Sequence, residues 1–261
     1  LSGEPLRLMA RVVVNAAGPW IDRALAPLGR PLGVGVNRSK GVHLLTRPVG
    51  GPGRVGSAVF SRAKSGKHVI VSPWMGGSFI GPTDTAMDPL SGPPVVEESD
   101  VRLILDTVNS TFGPSERPLT EDDIVTATVG IRPLIRRGAE AHTGGGTYSA
   151  SRRHEFYHHV DHGVFNLWSI GGGKWTTARA TGEEMVDALL RNELDGAPVR
   201  PYASREAAAY GAFAWAEDAE PFLRAAANRA HALGLDRSTG EHLARLYGTE
   251  YEAVLALVAS Q

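Results

Sequence analysis

A lysine directly after three glycines is the residue whose setting most clearly suggests chemistry. Lys174 follows glycines 171–173, and Trp175 and Thr176 lead from it into an amphipathic stretch. Glycines have no Cβ, so main-chain N–H groups can approach a flat or anionic ligand closely, and a helix N-terminus adds partial positive charge. The motif predicts a ligand-binding turn with Lys174 as its full charge, and a plain turn with a solvated lysine is the alternative.

Two other strand ends carry side chains that could act on the same ligand. Arg132 stands just before a proline, at the end of a predicted strand over residues 124–134. Its guanidinium could donate two hydrogen bonds to a carboxylate or phosphate, although a surface salt bridge is the commoner fate of a single arginine. His43 ends the polar cluster 39–43 (SKGVH), which predicts either binding groups at a strand end or a simple turn.

The elements that must position these residues change in type along the chain. A valine-rich strand from residue 10 turns through Ala17 and Gly18 into a short helix, a pattern typical of a parallel strand buried on both faces. Residues 33–126 indicate an antiparallel sheet covered by one helix over 97–112. A hairpin over 154–170 then leads into the glycine turn, and a helix follows over 176–191.

The last part of the chain has a different composition. From Ser204 it is alanine-rich and helical, and the patterns that begin at Ser238 and Thr249 predict capping boxes for the last two helices. Pro198 and Pro201 mark a linker before it. We therefore expect a separate C-terminal helical domain.

Composition excludes several classes of function. Lys plus Arg (27) nearly balance Asp plus Glu (28) in the 261 residues, which disfavours nucleic acid as a partner. The absence of cysteine excludes disulfides and thiolate metal sites and is compatible with a reducing cytoplasm. No apolar run is long enough for a membrane span and no signal peptide precedes the first strand.

Four histidines between residues 154 and 162 could suggest a metal site. Strand alternation points His158 and His159 to opposite faces, and no carboxylate recurs at a suitable spacing. We therefore predict no metal and a solvated hairpin.

Taken together, the motifs resemble the aerobic, FAD-dependent glycerol-3-phosphate dehydrogenases of the D-amino-acid oxidase-like superfamily. Four blocks occur in the order of that family, 13–20 (VVNAAGPW), 39–43 (SKGVH), 130–134 (GIRPL) and 172–177 (GGKWTT). A fifth is 73–74 (PW) with 81–85 (GPTDT). The N-terminal glycine fingerprint of the family does not occur in the chain, so we expect an N-terminally incomplete protein that does not bind FAD by itself.

The resemblance implies a reaction. A hydride would pass from C2 of sn-glycerol 3-phosphate to the flavin, giving dihydroxyacetone phosphate, and the electrons would leave to a membrane quinone. Lys174 and Arg132 would hold the substrate, Arg152 is a further candidate for that role, and His43 could act as acid or base. The implied cofactor contacts are Ala17, Gly18, Gly172, Gly173, Lys174, Trp175 and Thr176.

The implied fold is α/β (α+β), with a partial FAD-binding Rossmann-like domain (1–32 and 127–195), an inserted antiparallel-sheet substrate domain (33–126) and a C-terminal helical domain (200–261). The protein would be cytoplasmic, peripheral at the inner face of the membrane, and a homodimer is one possibility. Two alternatives stay open: a flavin-dependent amine or amino-acid oxidase in which Arg132 binds a carboxylate, and an inactive fragment that serves as an interaction module.

Overall fold

A computed structural model describes residues 5–51, 53, 55–62, 66, 68–87, 92–113, 117–135, 153–194, 202–207, 211–212 and 215–259, without the side chains of 215–218 and 259. The chain forms two compact units, Leu1–Ala197 and Pro198–Gln261. The strands are β1 (Val13–Asn15), β2 (Val36–Thr46), β3 (Val59–Arg62), β4 (His68–Trp74), β5 (Gly77–Gly81), β6 (Thr85–Met87), β7 (Ile124–Ile135), β8 (His154–His158) and β9 (Leu167–Gly172). The helices are α1 (Ile21–Leu25), α2 (Glu98–Phe112), α3 (Ala178–Asn192), α4 (Trp215–Ala232), α5 (Arg237–Tyr247) and α6 (Tyr251–Ala259).

A six-stranded antiparallel sheet is built around β2. One edge of β2 pairs with β7 over nearly its whole length. The other edge pairs with β6 at residues 38–40 and with β5 at residues 44–46. Strands β5, β4 and β3 continue outward as a meander. The antiparallel sheet predicted within residues 33–126 is confirmed.

Helix α2 covers one face of this sheet. Its buried residues Ile104, Leu105 and Val108 pack against strand residues that include Val42 and Leu44. Burial of each such aliphatic side chain contributes about 1.5–3 kcal/mol, so this face holds the sheet together. Because strand side chains alternate between faces, the odd-numbered residues of β2 point away from α2. We call that second side of the sheet the open face.

The smaller sheet has three strands in the order β1-β9-β8. β1 runs parallel to β9, with Asn15 opposite Ser169, and β8 runs antiparallel to β9. The prediction that the first strand is buried on both faces is wrong, because Val13 is 47% and Val14 38% exposed. Within the described residues β1 pairs with β9 alone and therefore forms an edge of the sheet.

The interpretation of the histidine segment as a solvated hairpin is also wrong at one position. A 3-10 turn over His159–His162 follows β8, and His159 is only 1% exposed. Its Nε2 lies 2.8 Å from the Ser169 hydroxyl on β9. Burial is the main cause that lowers the pKa of His159, because the charged imidazole would lose its hydration.

One predicted domain limit, between residues 126 and 127, falls inside an observed strand. β7 stays in the six-stranded sheet from Ile124 to Ile135, although the prediction returns to the FAD-binding domain at residue 127. The three-domain division itself stays a prediction.

The second unit is helical, and its core joins buried residues of α4, α5 and α6, among them Leu223, Ala244 and Leu255. The predicted capping box at Ser238 is displaced. Helix α5 instead takes Asp236 as its N-terminal cap and begins at Arg237. The Asp236 side chain makes no capping hydrogen bond, and the first turn begins with a backbone hydrogen bond from Thr239 N to the Asp236 carbonyl at 3.0 Å.

Candidate functional site

The open face of the six-stranded sheet carries two of the predicted site residues. His43 is an odd-numbered residue of β2 and so points away from α2. Arg132 on β7 lies opposite the odd-numbered Ser39 and therefore points to the same face. Lys40 follows Ser39 in the block 39–43, and its side chain points to the α2 side of the sheet. There it forms ion pairs of 2.7 Å with Asp100 and Glu97. The block therefore divides its polar residues between the two faces.

Arg132 lies flat against the backbone of β2. A Cβ at Gly41 would be 2.7 Å from the guanidinium carbon, so only glycine leaves room there. Nη2 donates to the carbonyl of Thr83 at 3.0 Å, and Nη1 donates to the carbonyl of Lys40 at 3.4 Å. The Arg132 side chain is 23% exposed, so part of it is accessible to solvent.

His43 is close to Arg132 and packs against an aromatic ring. Its imidazole stacks on Phe79 of β5, with ring centroids 4.7 Å apart and planes within 5°. Burial lowers the pKa of His43 below its usual 6.5, and the positive charge of Arg132 lowers this pKa further. His43 is therefore a neutral imidazole at neutral pH and can accept a proton.

The smaller sheet carries the other predicted residues at one edge. Because β1 and β9 are parallel, Ala17 and Gly18 leave β1 on the side where glycines 171–173 leave β9. Ligands of open α/β sheets bind outside the carboxyl ends of such strands. Asn15 shapes the first turn, since its side chain accepts from Ala17 N and donates to Ile21 O.

The glycines at this edge differ in what surrounds their Cβ positions. A Cβ on Gly171 would lie 2.5 Å from Ile135 Cδ1, and a Cβ on Gly172 would lie 2.6 Å from the Arg153 carbonyl. These two glycines are required by packing within the protein. In contrast, Gly18 has a φ of +54° and no atom within 4 Å of its Cβ position, so open space borders its backbone. A flat ligand could therefore approach the turn at Gly18.

Lys174 ends this turn and precedes the helix. Lys174 is the N-terminal cap of a 3-10 turn over Trp175–Thr177 that continues into α3. Thr177 donates its N–H to the carbonyl of Lys174 at 3.0 Å, and the first N–H groups of such a turn have no partner within the helix. Trp175 is 94% exposed, a high value for so large an aromatic side chain.

The two groups of residues are linked through packing at the ends of β7 and β9. Ile135 contacts the position of Gly171, and it clusters with Ile21 and Val36. Arg132 and Lys174 each lie three residues along the chain from this Ile135–Gly171 contact. Their convergence on one ligand stays a prediction, and Arg152 lies outside the described residues.

Sequence reasoning missed several residues that organise the site. Ser39, Asp84 and Thr83 surround Arg132, and Phe79 holds His43. The 81–85 block is one of the family motifs, and strand alternation could have placed Ser39 beside Arg132. Asp84 lies between two strands, and only its contacts with Ser39 and Arg132 show that it joins them. Among the described residues no group of His, Asp or Glu side chains has the arrangement of a metal site.

The chain is similar to known proteins over most of its length. A family model described as FAD dependent oxidoreductase matches residues 3–188. The chain is 30% identical to a glycerol-3-phosphate dehydrogenase of Synechocystis, an alignment that covers 99% of the chain and 46% of the relative. It is 28% identical to the aerobic glycerol-3-phosphate dehydrogenase of Staphylococcus aureus, over 97% of the chain and 44% of the relative.

A solved structure is also similar. The glycerol-3-phosphate dehydrogenase of Bacillus halodurans, complexed with FAD, matches with a TM-score of 0.70 and 32% identity, over 95% of this chain and 45% of that one. The chain thus spans somewhat less than half the length of the relatives it matches. In the described part of the chain, no helix combines the length and apolar character needed to cross a membrane.

Proposed function

The chain belongs to the FAD dependent oxidoreductase family, and from this premise we propose that the protein oxidises sn-glycerol 3-phosphate to dihydroxyacetone phosphate. The observation that carries the proposal is the position of His43, a neutral imidazole, near the Arg132 guanidinium on the open face. A base and a cation together suit the oxidation of an alcohol that bears an anionic group. The names of the relatives support this choice of substrate.

FAD fits the edge formed by the ends of β1 and β9. Gly18 leaves open space beside its backbone, and the turn after Gly173 begins a helix whose first N–H groups favour negative charge. We propose that Ala17, Gly18, Gly172, Gly173, Lys174, Trp175 and Thr176 contact the cofactor. FAD, when bound, supplies the acceptor for the hydride that leaves C2 of the substrate.

The remaining chemistry belongs to side chains of this chain. His43 would take the proton of the C2 hydroxyl, so that loss of this proton and of the C2 hydride gives the ketone. Arg132 would orient the substrate oxygens through guanidinium N–H groups, and Lys174 would bind the phosphate as a point charge. Arg152 is proposed as a further phosphate ligand.

The wider setting follows from the family resemblance. We propose residues 1–32 and 127–195 as parts of the FAD-binding domain, 33–126 as the substrate domain and 200–261 as the helical domain. The electrons would pass to a membrane quinone, from a position at the inner face of the membrane, and the protein would act as a homodimer.

Substitution of the two cations tests the proposed function. In the FAD-loaded protein that carries this chain, Lys174→Ala and Arg132→Ala should each lower kcat/KM for glycerol 3-phosphate by roughly 30- to 1,000-fold, about 2–4 kcal/mol. Both variants should lose less against glycerol than against glycerol 3-phosphate, because glycerol lacks the phosphate charge that the two cations bind. Arg102→Ala, which removes an exposed ion pair to Glu98 on α2, is the matched control and should leave both activities unchanged.

Two outcomes would reject this assignment. Unchanged kinetics in both variants would remove the two cations from the site. Faster oxidation of D-alanine or glycine than of glycerol 3-phosphate by the unmodified protein would favour the amino-acid oxidase alternative.

A further inference from the structure

A buried carboxylate lies behind Arg132. Asp84 is in the segment between β5 and β6, and it is buried together with Ser39 of β2. Asp84 Oδ1 is 3.9 Å from Arg132 Nη1, within ion-pair distance. A buried carboxylate costs several kcal/mol unless it is paired, so the Arg132 cation and the Asp84 anion stabilise each other.

The Ser39 hydroxyl connects the two charges. Ser39 Oγ donates a short hydrogen bond to Asp84 Oδ1 and accepts one from Arg132 Nη1 at 3.3 Å. A hydroxyl has one proton, so its donation to Asp84 turns the oxygen lone pairs toward Arg132. The carboxylate thereby sets the direction in which Ser39 accepts.

The third acceptor for the guanidinium is also fixed in place. The Thr83 carbonyl accepts from Arg132 Nη2, and the backbone N–H of Thr83 donates to Val42 O at 3.0 Å. The Thr83 hydroxyl accepts from Val42 N at 3.0 Å and donates to Asp100 Oδ1 at 3.1 Å. Arg132 is therefore bound to acceptors that cannot rotate freely, over a glycine that lets it lie flat.

We propose that Asp84, acting through Ser39, is a positioning residue that holds the Arg132 guanidinium in one orientation toward a phosphorylated alcohol on the open face. The inference rests on the proposed function, because it takes Arg132 as a substrate ligand. An arginine side chain loses considerable rotamer freedom when it binds a ligand. Ordering Arg132 beforehand removes that cost from the binding step and fixes the geometry of its donors.

The test measures ligand binding as well as turnover in the FAD-loaded protein. Titration calorimetry with dihydroxyacetone phosphate gives a Kd without turnover, and steady-state assays give kcat and KM for glycerol 3-phosphate. Ser39→Ala and Asp84→Asn should each raise Kd about 10-fold and lower kcat/KM about 10- to 100-fold. Thermal unfolding and the flavin content show whether each variant is folded and loaded with FAD. If Asp84→Asn does not fold, Ser39→Ala still tests the proposal, because it keeps the Asp84 carboxylate.

A double-mutant cycle separates positioning from general stability. In an Arg132→Ala background, Ser39→Ala should not change Kd further, since the side chain that it orients is gone. Asp123→Asn is the matched control, because Asp123 is another buried carboxylate paired with an arginine, Arg47 Nε at 2.7 Å. It should lower the unfolding temperature and leave Kd unchanged.

Each outcome has a distinct meaning. If Arg132→Ala raises Kd but Ser39→Ala and Asp84→Asn do not, the positioning role is overturned while the proposed function stands. If Ser39→Ala raises Kd equally with and without Arg132, its effect does not pass through Arg132 and the inference is again overturned. If Arg132→Ala itself leaves Kd unchanged, the assignment of Arg132 in the proposed function fails.

Discussion

At the scale of single residues, the state of His43 decides whether the open face can act as a base. The stacked ring of Phe79 shields the imidazole from water, and Arg132 adds positive charge nearby. Both effects disfavour the imidazolium, so His43 keeps its basic form to a lower pH than a solvated histidine would. Substitution of Phe79 therefore offers a test of His43 as the base.

The pH profile of kcat/KM should report the depressed pKa of His43. Activity is expected to fall as pH decreases through a value below 6.5, because protonation removes the base. Phe79→Ala exposes His43 to water and should move this acid limb upward, toward 6.5. An acid limb that stays in place in Phe79→Ala, and persists in His43→Gln, would show that another group is the base.

At the scale of elements, the turns after β1 and β9 separate glycines required by the fold from glycines available to a ligand. Gly18 and Gly172 both have positive φ, at +54° and +70°. Only at Gly172 would a Cβ collide with backbone, the Arg153 carbonyl at 2.6 Å. Substitution should therefore affect stability and cofactor binding differently at the two positions.

Gly18→Ala should cost about 1–2 kcal/mol of unfolding free energy from its left-handed backbone and should also weaken FAD binding. Gly172→Ala adds overpacking and should cost roughly 2–5 kcal/mol. Gly29→Ala is the matched control, since Gly29 has a φ of +67° and no atom within 4 Å of its Cβ position. Urea unfolding and FAD titration measure the effects, and equal FAD affinity in the Gly18 and Gly29 variants would contradict a cofactor contact at Gly18.

Elements with local signals could be predicted from the sequence, and contacts between distant segments could not. The apolar stripe of α2 is visible in a short window, and the predicted range of 97–112 differs from the observed Glu98–Phe112 by one residue. The hydrogen bond between Ser39 and Arg132 joins residues 93 positions apart in the sequence. The burial of His159 depends on how its turn packs against β9. Neither feature leaves a local pattern, because both arise from strand register and tertiary packing.

At the scale of the whole molecule, the chain divides into two compact units near residue 197. Few contacts cross a boundary between domains, so the connecting chain is the favoured place for a protease to act. Limited trypsin digestion should first cut after Arg205, since the Arg200–Pro201 bond resists trypsin, and yield a stable product that contains residues 1–197. A first stable product that ends within residues 33–47 would contradict this, since that range holds most of β2, the central strand of the larger sheet.

The central claim is that the residues of this chain act on glycerol 3-phosphate with FAD, and flavin absorbance under anaerobic conditions tests it most directly. We predict that the FAD-loaded protein bleaches when sn-glycerol 3-phosphate is added, in proportion to the flavin present, and that glycerol, glycine and D-alanine have little effect. Lys174→Ala and Arg132→Ala should slow the bleaching. Flavin that stays oxidised with glycerol 3-phosphate, or that is bleached by D-alanine or glycine instead, would contradict the account.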